Sequence, residues 1–81
     1  MLQPNILEVA PLDDYKVLLT FENGEQRIFD MKPFLEIGPV FKALKDPKMF
    51  NTVRVSFKTI SWANNLDIDP EILYDSSFVL S

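Results

Sequence analysis

Residues 60–74 read ISWANNLDIDPEILY and contain the only tryptophan of the chain. Strand-forming residues at 60–62 are followed by a run of amides and acids that is typical of a turn. Asp69-Pro70 then predicts the start of a helix, because aspartate is a favoured N-cap and proline suits the first helical position. The segment therefore predicts a strand, a turn and a capped helix, and it is the stretch that best defines the fold.

Large aromatic and polar side chains come together in this segment. We expect Trp62 either to enter the core, where its indole N–H needs a partner such as Asn64, Asp67 or a backbone carbonyl, or to anchor a protein interface. Asp69 and Glu71 are explained by the helix start, since one caps the helix and the other lies near the positive end of its dipole. The candidate interaction site comprises the residues left unexplained: Trp62, Asn64, Asp67 and Tyr74.

A β-hairpin is predicted near the amino terminus, after a first strand at residues 6–10. Asn23-Gly24 is the usual pair for a two-residue type I′ turn, which would place Leu19 opposite Ile28 and Leu18 opposite Phe29. Both faces of this hairpin would then carry apolar pairs. We therefore expect both faces of the sheet to be covered, at least in part.

Short helices and a second pair of strands are predicted after the hairpin. Gly38-Pro39 and Asp46-Pro47 each resemble a helix start, and residues 53–55 can pair with residues 59–62. Residues 76–81 are expected to form a short tail. The predicted class is α+β, in one domain over residues 1–81, with an antiparallel sheet of about five strands and short helices between strands 3 and 4 and at the carboxyl terminus.

The composition excludes several kinds of chemistry. The 81 residues include no histidine and no cysteine, which removes imidazole and thiolate catalysis and the usual zinc ligands. Gly24 and Gly38, the only glycines, cannot build a phosphate-binding loop. We therefore expect no cofactor, no metal and no enzyme, with a carboxylate activity through Asp67, Asp69 or Glu71 as a remote alternative. No signal peptide or membrane-spanning run is recognisable, which predicts a cytoplasmic protein.

The charges are unevenly distributed, although the net charge is −4. Residues 42–58 carry five bases against Asp46, whereas residues 59–81 carry four acids and no base. The candidate basic patch comprises Lys42, Lys45, Lys48, Arg54 and Lys58. A solvated helix face is the simpler interpretation, and a weak contact with nucleic acid is the alternative.

Phenylalanine is abundant for so small a chain. The residues concerned lie in its second half or just before it: Phe34, Phe41, Phe50, Phe57 and Phe78. If the interior cannot hold all five rings, the remainder would be exposed, which favours a homodimer or a groove for a partner.

One set of residues has the spacing of a known family: residues 21–25 with Arg27, Phe29 and Asp30; Phe41, Leu44, Asp46, Pro47 and Phe50; residues 53–55; and residues 60–62 with Asn64, Asp67, Pro70, Leu73 and Tyr74. With these residues the chain resembles the small bacterial domain-of-unknown-function family 2442 over residues 6–74. Residues 56–59 depart from the pattern, because family members usually have a glycine-containing turn there. The resemblance implies a small α+β domain with an antiparallel sheet.

The family has no settled activity. Some of its members carry an additional helix-turn-helix domain, and many resemble partners of another small protein encoded beside them, in the manner of toxin–antitoxin pairs. The resulting prediction is a non-enzymatic interaction module of the bacterial cytoplasm, the accessory or antitoxin-like half of a two-protein system. The alternative is a nucleic-acid-binding or transcription-related accessory domain that uses the basic patch.

Overall fold

The computed structural model describes residues 4–80 and confirms the α+β class. The strands are β1 (Ile6–Pro11), β2 (Lys16–Phe21), β3 (Gln26–Asp30), β4 (Arg54–Ser56), β5 (Thr59–Ser61) and β6 (Phe78–Val79). The helices are α1 (Pro39–Lys42), α2 (Pro47–Phe50) and α3 (Pro70–Asp75), with 3₁₀ turns at Asp13–Tyr15, Lys32–Phe34 and Ala43–Lys45. None of these helices is long and apolar enough to cross a membrane.

The strands form two sheets rather than the one sheet that was predicted. The larger has the order β1-β2-β3-β6 with antiparallel neighbours, and the smaller consists of β4 and β5. Alternate residues of β2 are buried, as expected for a strand with one face against a core. The buried residues of the β2–β3 hairpin are Val17, Leu19, Phe21 and Phe29.

The opposite face of this hairpin is only partly covered. Leu18 lies opposite Ile28, and both side chains are half-buried. The next residue in the same row across the sheet is Phe78 of β6, which is 65% exposed. The expectation that both faces would be covered in part therefore holds for the centre of the sheet and weakens toward its β6 edge.

The predicted type I′ turn and its register are wrong. Gly24 has a φ of +87° whereas Asn23 does not have a positive φ, and the loop contains a third residue, Glu22. Asn23 Oδ1 accepts a hydrogen bond from the Glu25 backbone N–H at 3.0 Å, which stabilises this longer loop. The register shifts by one residue, so that Leu18 faces Ile28.

That shift has a physical reason. Because side chains alternate between faces, moving the pairing by one residue exchanges the faces of one whole strand. In the observed register Val17 faces Phe29 and Leu19 faces Arg27. Phe29 thereby lies on the same face as Val17 and Leu19, where the core is, rather than on the face of Leu18.

The predicted tail at residues 76–81 is also wrong at residues 78–79, which form a strand. β6 pairs with β3, with Phe78 opposite Ile28 and Val79 opposite Arg27, and the Leu80 N–H donates to the Gln26 carbonyl at 2.8 Å. A two-residue strand has no periodicity to recognise, and it exists because β3 offers it an edge. Ser81 lies outside the described residues.

The helix starts follow the sequence closely. Asp46 caps α2 by accepting from the Lys48 N–H at 3.0 Å, and Asp69 caps α3 by accepting from the Glu71 N–H at 2.9 Å. Proline occupies the first turn of all three helices. The predictions for Gly38-Pro39, Asp46-Pro47 and Asp69-Pro70 are therefore confirmed.

The predicted pairing of β4 with β5 is confirmed, but Ser56, expected in the loop, pairs with Thr59, so that the loop is only Phe57 and Lys58. After β5 the chain turns and runs back alongside it. Asp67 forms an isolated bridge with Ser61, and the Ile68 N–H donates to the Ile60 carbonyl at 3.4 Å. This return segment brings the start of α3 beside the small sheet.

One apolar core joins these elements. Its buried members are Ile6, Val17, Leu19, Phe21, Phe29, Met31, Leu35, Leu44, Phe50, Ile60, Trp62, Ile68 and Leu73. Both sheets and α3 contribute to it, so the core fixes the relative positions of the surfaces described below.

Candidate functional site

Trp62 lies in the core and offers no surface to a partner, because its exposed fraction is 0%. Its Nε1–H donates to the Phe50 carbonyl oxygen at 3.0 Å, and the two rings are 6.3 Å apart. Of the three partners expected for the indole, the structure contains the backbone carbonyl. Trp62, the residue that follows β5, is therefore joined to the end of α2.

Asn64 and Asp67 lie on the turn between β5 and α3. Asn64 Oδ1 accepts from the Leu66 N–H at 3.2 Å, and Asn64 Nδ2 donates to the Val40 carbonyl at 3.3 Å. Asp67 is exposed, and its carboxylate has no hydrogen bond or ion pair among residues 4–80. Asn64 thus stabilises the turn, whereas the Asp67 carboxylate has no hydrogen bond or ion pair among the described residues.

Tyr74 belongs to a different group of residues, which we call the Arg27 clasp: Glu25, Arg27 and Tyr74. The Tyr74 hydroxyl donates to Glu25 Oε1 at 2.8 Å, and Arg27 Nη2 lies 3.2 Å from Glu25 Oε2. The Arg27 guanidinium stacks on the Tyr74 ring, with Cζ 3.8 Å from the centroid. The side-chain contacts of Tyr74 are thus with the β2–β3 hairpin.

The charges of the clasp compensate one another. The hydrogen bond from Arg27, followed by that from Tyr74, lowers the pKa of Glu25 below its ordinary value. Burial acts to lower the pKa of Arg27, but the hydrogen bond and the charge of Glu25 outweigh it and the pKa is raised. Both groups are therefore held in their charged forms, which favours a structural role over proton transfer.

The clasp also positions β6. Arg27 Nη1 donates to the carbonyl oxygens of Tyr74 and Ser77, at 3.1 and 3.5 Å. These carbonyls belong to the end of α3 and to the residue before β6. One guanidinium therefore ties the α3–β6 connection to β3, where β6 pairs.

The surface held in this way is the β6 edge, which consists of Phe78, Val79 and Leu80. Their exposed fractions are 65, 61 and 55%. Since Phe78 pairs with Ile28 and the Leu80 N–H donates toward β3, the alternation of an antiparallel ladder directs the N–H and C=O of Val79 away from the sheet. The β6 edge thus combines adjacent apolar side chains with outward-facing backbone groups.

The basic patch does not lie on one helix. Lys42, Lys45 and Lys48 occupy α1, the following 3₁₀ turn and α2, and the chain changes direction at Asp46. Lys45 forms an ion pair with Glu36, and the hydrogen bond from Lys45 lowers the pKa of that carboxyl group. Arg54 and Lys58 belong to the β4–β5 hairpin. The helix face expected from the three-residue spacing is therefore absent among these residues.

The five phenylalanines divide as the sequence suggested. Phe50 is buried, Phe34 and Phe41 are half-buried, and Phe57 and Phe78 are exposed by 99 and 65%. Two rings thus remain outside the core. The sequence named Phe78 among the candidate exposed rings but missed that Val79 and Leu80 extend it into one surface, although the run Phe78-Val79-Leu80 is the signal that would have identified it.

A cleft of about 280 Å³ lies between the turn that follows β1 and the start of α2. Asp14, Tyr15 and Phe50 are among the residues that line it. Asp14 is already paired with Lys16 and Lys32, and the Tyr15 hydroxyl donates to the Lys45 carbonyl at 2.6 Å. The cleft contains none of the residues of the candidate interaction site, and the Asp14 carboxylate and the Tyr15 hydroxyl that line it are already paired within the chain.

This architecture is that of a small α+β domain in which the Arg27 clasp is paired internally and three adjacent apolar residues are exposed at the β6 edge. A family model with the description "Protein of unknown function (DUF2442)" matches residues 6–78. The chain belongs to this family, as its residue spacing predicted. Searches of curated proteins and of solved structures found no match.

Proposed function

We propose that this protein is a non-enzymatic module that binds another protein by accepting an extended segment at the β6 edge. The observation that carries the proposal is the exposure of three successive apolar residues, Phe78, Val79 and Leu80, at an open edge of the main sheet. Addition of a strand to such an edge is a common mode of peptide recognition, with affinity from backbone bonds and specificity from side chains.

The two edges of the main sheet support this choice. Natural proteins protect exposed edges with proline, charge or irregular pairing. The β1 edge has all three features, since it carries Glu8, ends at Pro11 and has a register irregularity between Ile6 and Glu8. The β6 edge has none of them among its described residues, and its apolar side chains would be an aggregation hazard unless a partner covered them.

Charge indicates the kind of segment. The chain carries a net charge of −4, and no base follows Lys58 in the sequence. A basic partner would be steered toward this protein, whereas an acidic one would be repelled. We therefore propose an extended apolar segment flanked by lysine or arginine, on another small protein of the bacterial cytoplasm.

The biological role that we propose is the accessory or antitoxin-like half of a two-protein system. It is supported by the family resemblance, in which many members resemble partners of a small protein encoded beside them. The lack of histidine and cysteine supports a function without catalysis. Among residues 4–80 no three potential metal ligands come together.

The test is capture of a partner followed by measurement with the purified pair. Tagged protein is used to retain a host protein, with the product of a neighbouring gene as the first candidate, and its affinity is then measured by calorimetry. Val79→Pro removes the outward N–H without removing a bond to β3 and is expected to weaken binding about tenfold or more, the loss of roughly 1.4 kcal/mol.

The matched control is Leu7→Ser, which removes an apolar residue that is 59% exposed on β1, at the opposite edge. It should leave the affinity unchanged. Equal affinities for the wild type and Val79→Pro would contradict the proposed site. Retention of no specific protein would contradict the proposed function.

A further inference from the structure

Phe57 occupies a position that the fold does not explain. It is 99% exposed and has a φ of +56° at the first loop position of the β4–β5 hairpin, where glycine is normally favoured. A left-handed backbone is unfavourable for a bulky side chain, and an exposed ring contributes no core packing. Phe57 therefore destabilises the isolated chain without a compensating core contact, which favours a contact outside the chain.

The surroundings of Phe57 are positively charged. Lys58 is the next residue of the loop, and Arg54 lies at the start of β4 in the same hairpin. Both are exposed and neither forms an ion pair with another residue of 4–80. The hairpin tip, defined as Arg54, Phe57 and Lys58, is thus an aromatic ring accompanied by two cations.

The exposed side of α3 has the opposite character. Ile72 is 47% exposed, and Asp69 and Asp75 lie three residues before and after it, which places them near it on a helix. Glu71 is exposed as well, and none of the three acids has an ion-pair partner among residues 4–80. The α3 surface, defined as Asp69, Glu71, Ile72 and Asp75, is thus an apolar residue surrounded by carboxylates.

The fold places the β4–β5 hairpin beside the first turn of α3. The return segment pairs Asp67 with Ser61 and bonds the Ile68 N–H to the Ile60 carbonyl, so α3 begins next to the β4–β5 hairpin. The Thr59 hydroxyl, beside the loop, also donates to the Ile68 carbonyl. Adjacent patches that complement each other in charge and carry apolar centres form a self-complementary surface, as a two-fold dimer requires.

We propose that two copies of this chain associate through this surface, with Phe57 of each copy packed on Ile72 of the other. Arg54 and Lys58 of one copy then face Asp69, Glu71 and Asp75 of its partner, and symmetry repeats the contact. Phe57 becomes the buried aromatic anchor of the interface, a role in which such residues contribute strongly. The β6 edge is a separate surface, so the dimer does not depend on the proposed function.

Nucleic acid fits the hairpin tip less well. Binding to phosphates grows with the number of cations that meet them, and the tip has two. The carboxylates of the α3 surface lie beside it and would repel a phosphate backbone. The same carboxylates favour a second copy, which brings cations to them.

The first experiment measures the mass of the purified chain by sedimentation equilibrium over a concentration range that reaches millimolar. The wild type should dimerise. Phe57→Gly relieves the positive φ and should remain folded by circular dichroism, while weakening dimerisation about 30-fold or more, the loss typical of an interface anchor. Phe78→Ser, which alters the β6 edge, should dimerise like the wild type.

The second experiment exchanges charges. R54E/K58E makes both surfaces acidic and E71K/D75K makes both more basic, so each variant alone should be monomeric. Mixed together they should form a heterodimer, because the facing surfaces then have opposite net charges, although Asp69 stays acidic in both variants. K42E/K48E changes the same number of charges outside the surface and should dimerise like the wild type.

A monomeric wild type at every concentration would overturn the proposal, as would undiminished dimerisation of Phe57→Gly or failure of the two charge variants to associate. An oligonucleotide that binds the monomeric wild type, but not R54E/K58E, would also overturn it and would assign the hairpin tip to nucleic acid.

Discussion

Arg27 stacks on the ring of Tyr74, which lies 47 residues further along the chain, with its Cζ atom 3.8 Å from the ring centroid. The same guanidinium bonds Glu25 in the hairpin and the carbonyls of Tyr74 and Ser77 after α3. It therefore connects the β2–β3 hairpin to the segment that leads into β6, the last strand of the sheet. The surface that we propose for a partner depends on this connection.

Removal of the Arg27 side chain should measure how much the clasp contributes to the free energy of unfolding. Arg27→Met keeps much of the aliphatic length but loses the cation–π contact and the charged hydrogen bonds, and we expect a loss of about 2 kcal/mol in the free energy of unfolding. Urea denaturation is the measurement. Lys48→Met is the control, because Lys48 is exposed, lacks such partners and lies outside both proposed surfaces. Similar losses for both variants would show that the clasp is energetically unimportant.

Acid should lower the stability of the fold because Glu25 and Asp14 become protonated. Hydrogen bonds from Arg27 and Tyr74 lower the pKa of Glu25 below its ordinary 4.5, and Lys32 lowers the pKa of Asp14 in the same way. A carboxyl group with a lowered folded-state pKa stabilises the fold above its unfolded pKa, and this stability is lost as the pH falls through the folded pKa. We therefore expect the free energy of unfolding to fall below about pH 4.5.

The contribution of Glu25 can be isolated with Glu25→Gln, which cannot titrate. Its stability should depend less steeply on pH across the same acid range than that of the wild type. The comparison uses urea denaturation at a series of pH values. Identical slopes for the two proteins would rule out Glu25 as a source of the acid sensitivity.

Trp62 should prove essential to the fold. Trp62→Ala is expected to lose about 3 to 5 kcal/mol, a large fraction of the stability of so small a domain. Trp62→Phe fills most of the space but leaves the Phe50 carbonyl without its donor, which should cost about 2 kcal/mol. Thermal unfolding followed by circular dichroism distinguishes these outcomes. An unchanged melting temperature for Trp62→Ala would contradict the buried placement.

The cap of α3 should contribute a smaller amount. Asp69→Ala removes the acceptor of the Glu71 N–H, and loss of an N-cap costs about 1 kcal/mol. Asp67→Ala is the control, because the Asp67 carboxylate has no bond among the described residues. Urea denaturation should therefore separate two aspartates that are two positions apart. Equal effects would mean that the cap is not the source of the loss.

Several features of the fold could be predicted from residues that are close together in the sequence. The starts of α2 and α3 follow from Asp-Pro pairs, since a cap and the proline that follows it act within one turn. The β4–β5 pairing followed from two strand-forming runs separated by a short loop. The excess of phenylalanine raised the hypothesis that some rings would remain outside the core, and the structure places Phe57 and Phe78 there.

Other features depended on residues that are distant in sequence. Asn23-Gly24 favoured a two-residue turn, yet a three-residue loop puts Phe29 on the core face with Leu19. Tyr74 was grouped with Trp62 by sequence, whereas its contacts are with Arg27 and Glu25. Nothing near Tyr74 in the sequence indicates those partners.

By itself, the sequence determined the α+β class, the helix caps, the family and the exclusion of histidine and cysteine chemistry, because these depend on composition and on neighbouring residues. Only the tertiary structure decided that Trp62 is buried and that Phe57 is exposed near the start of α3. It also decided that β6 is the edge strand of the main sheet, with no strand beyond it among the described residues. These features result from pairing and packing between distant segments, whose free energies are properties of the whole core rather than of any local run.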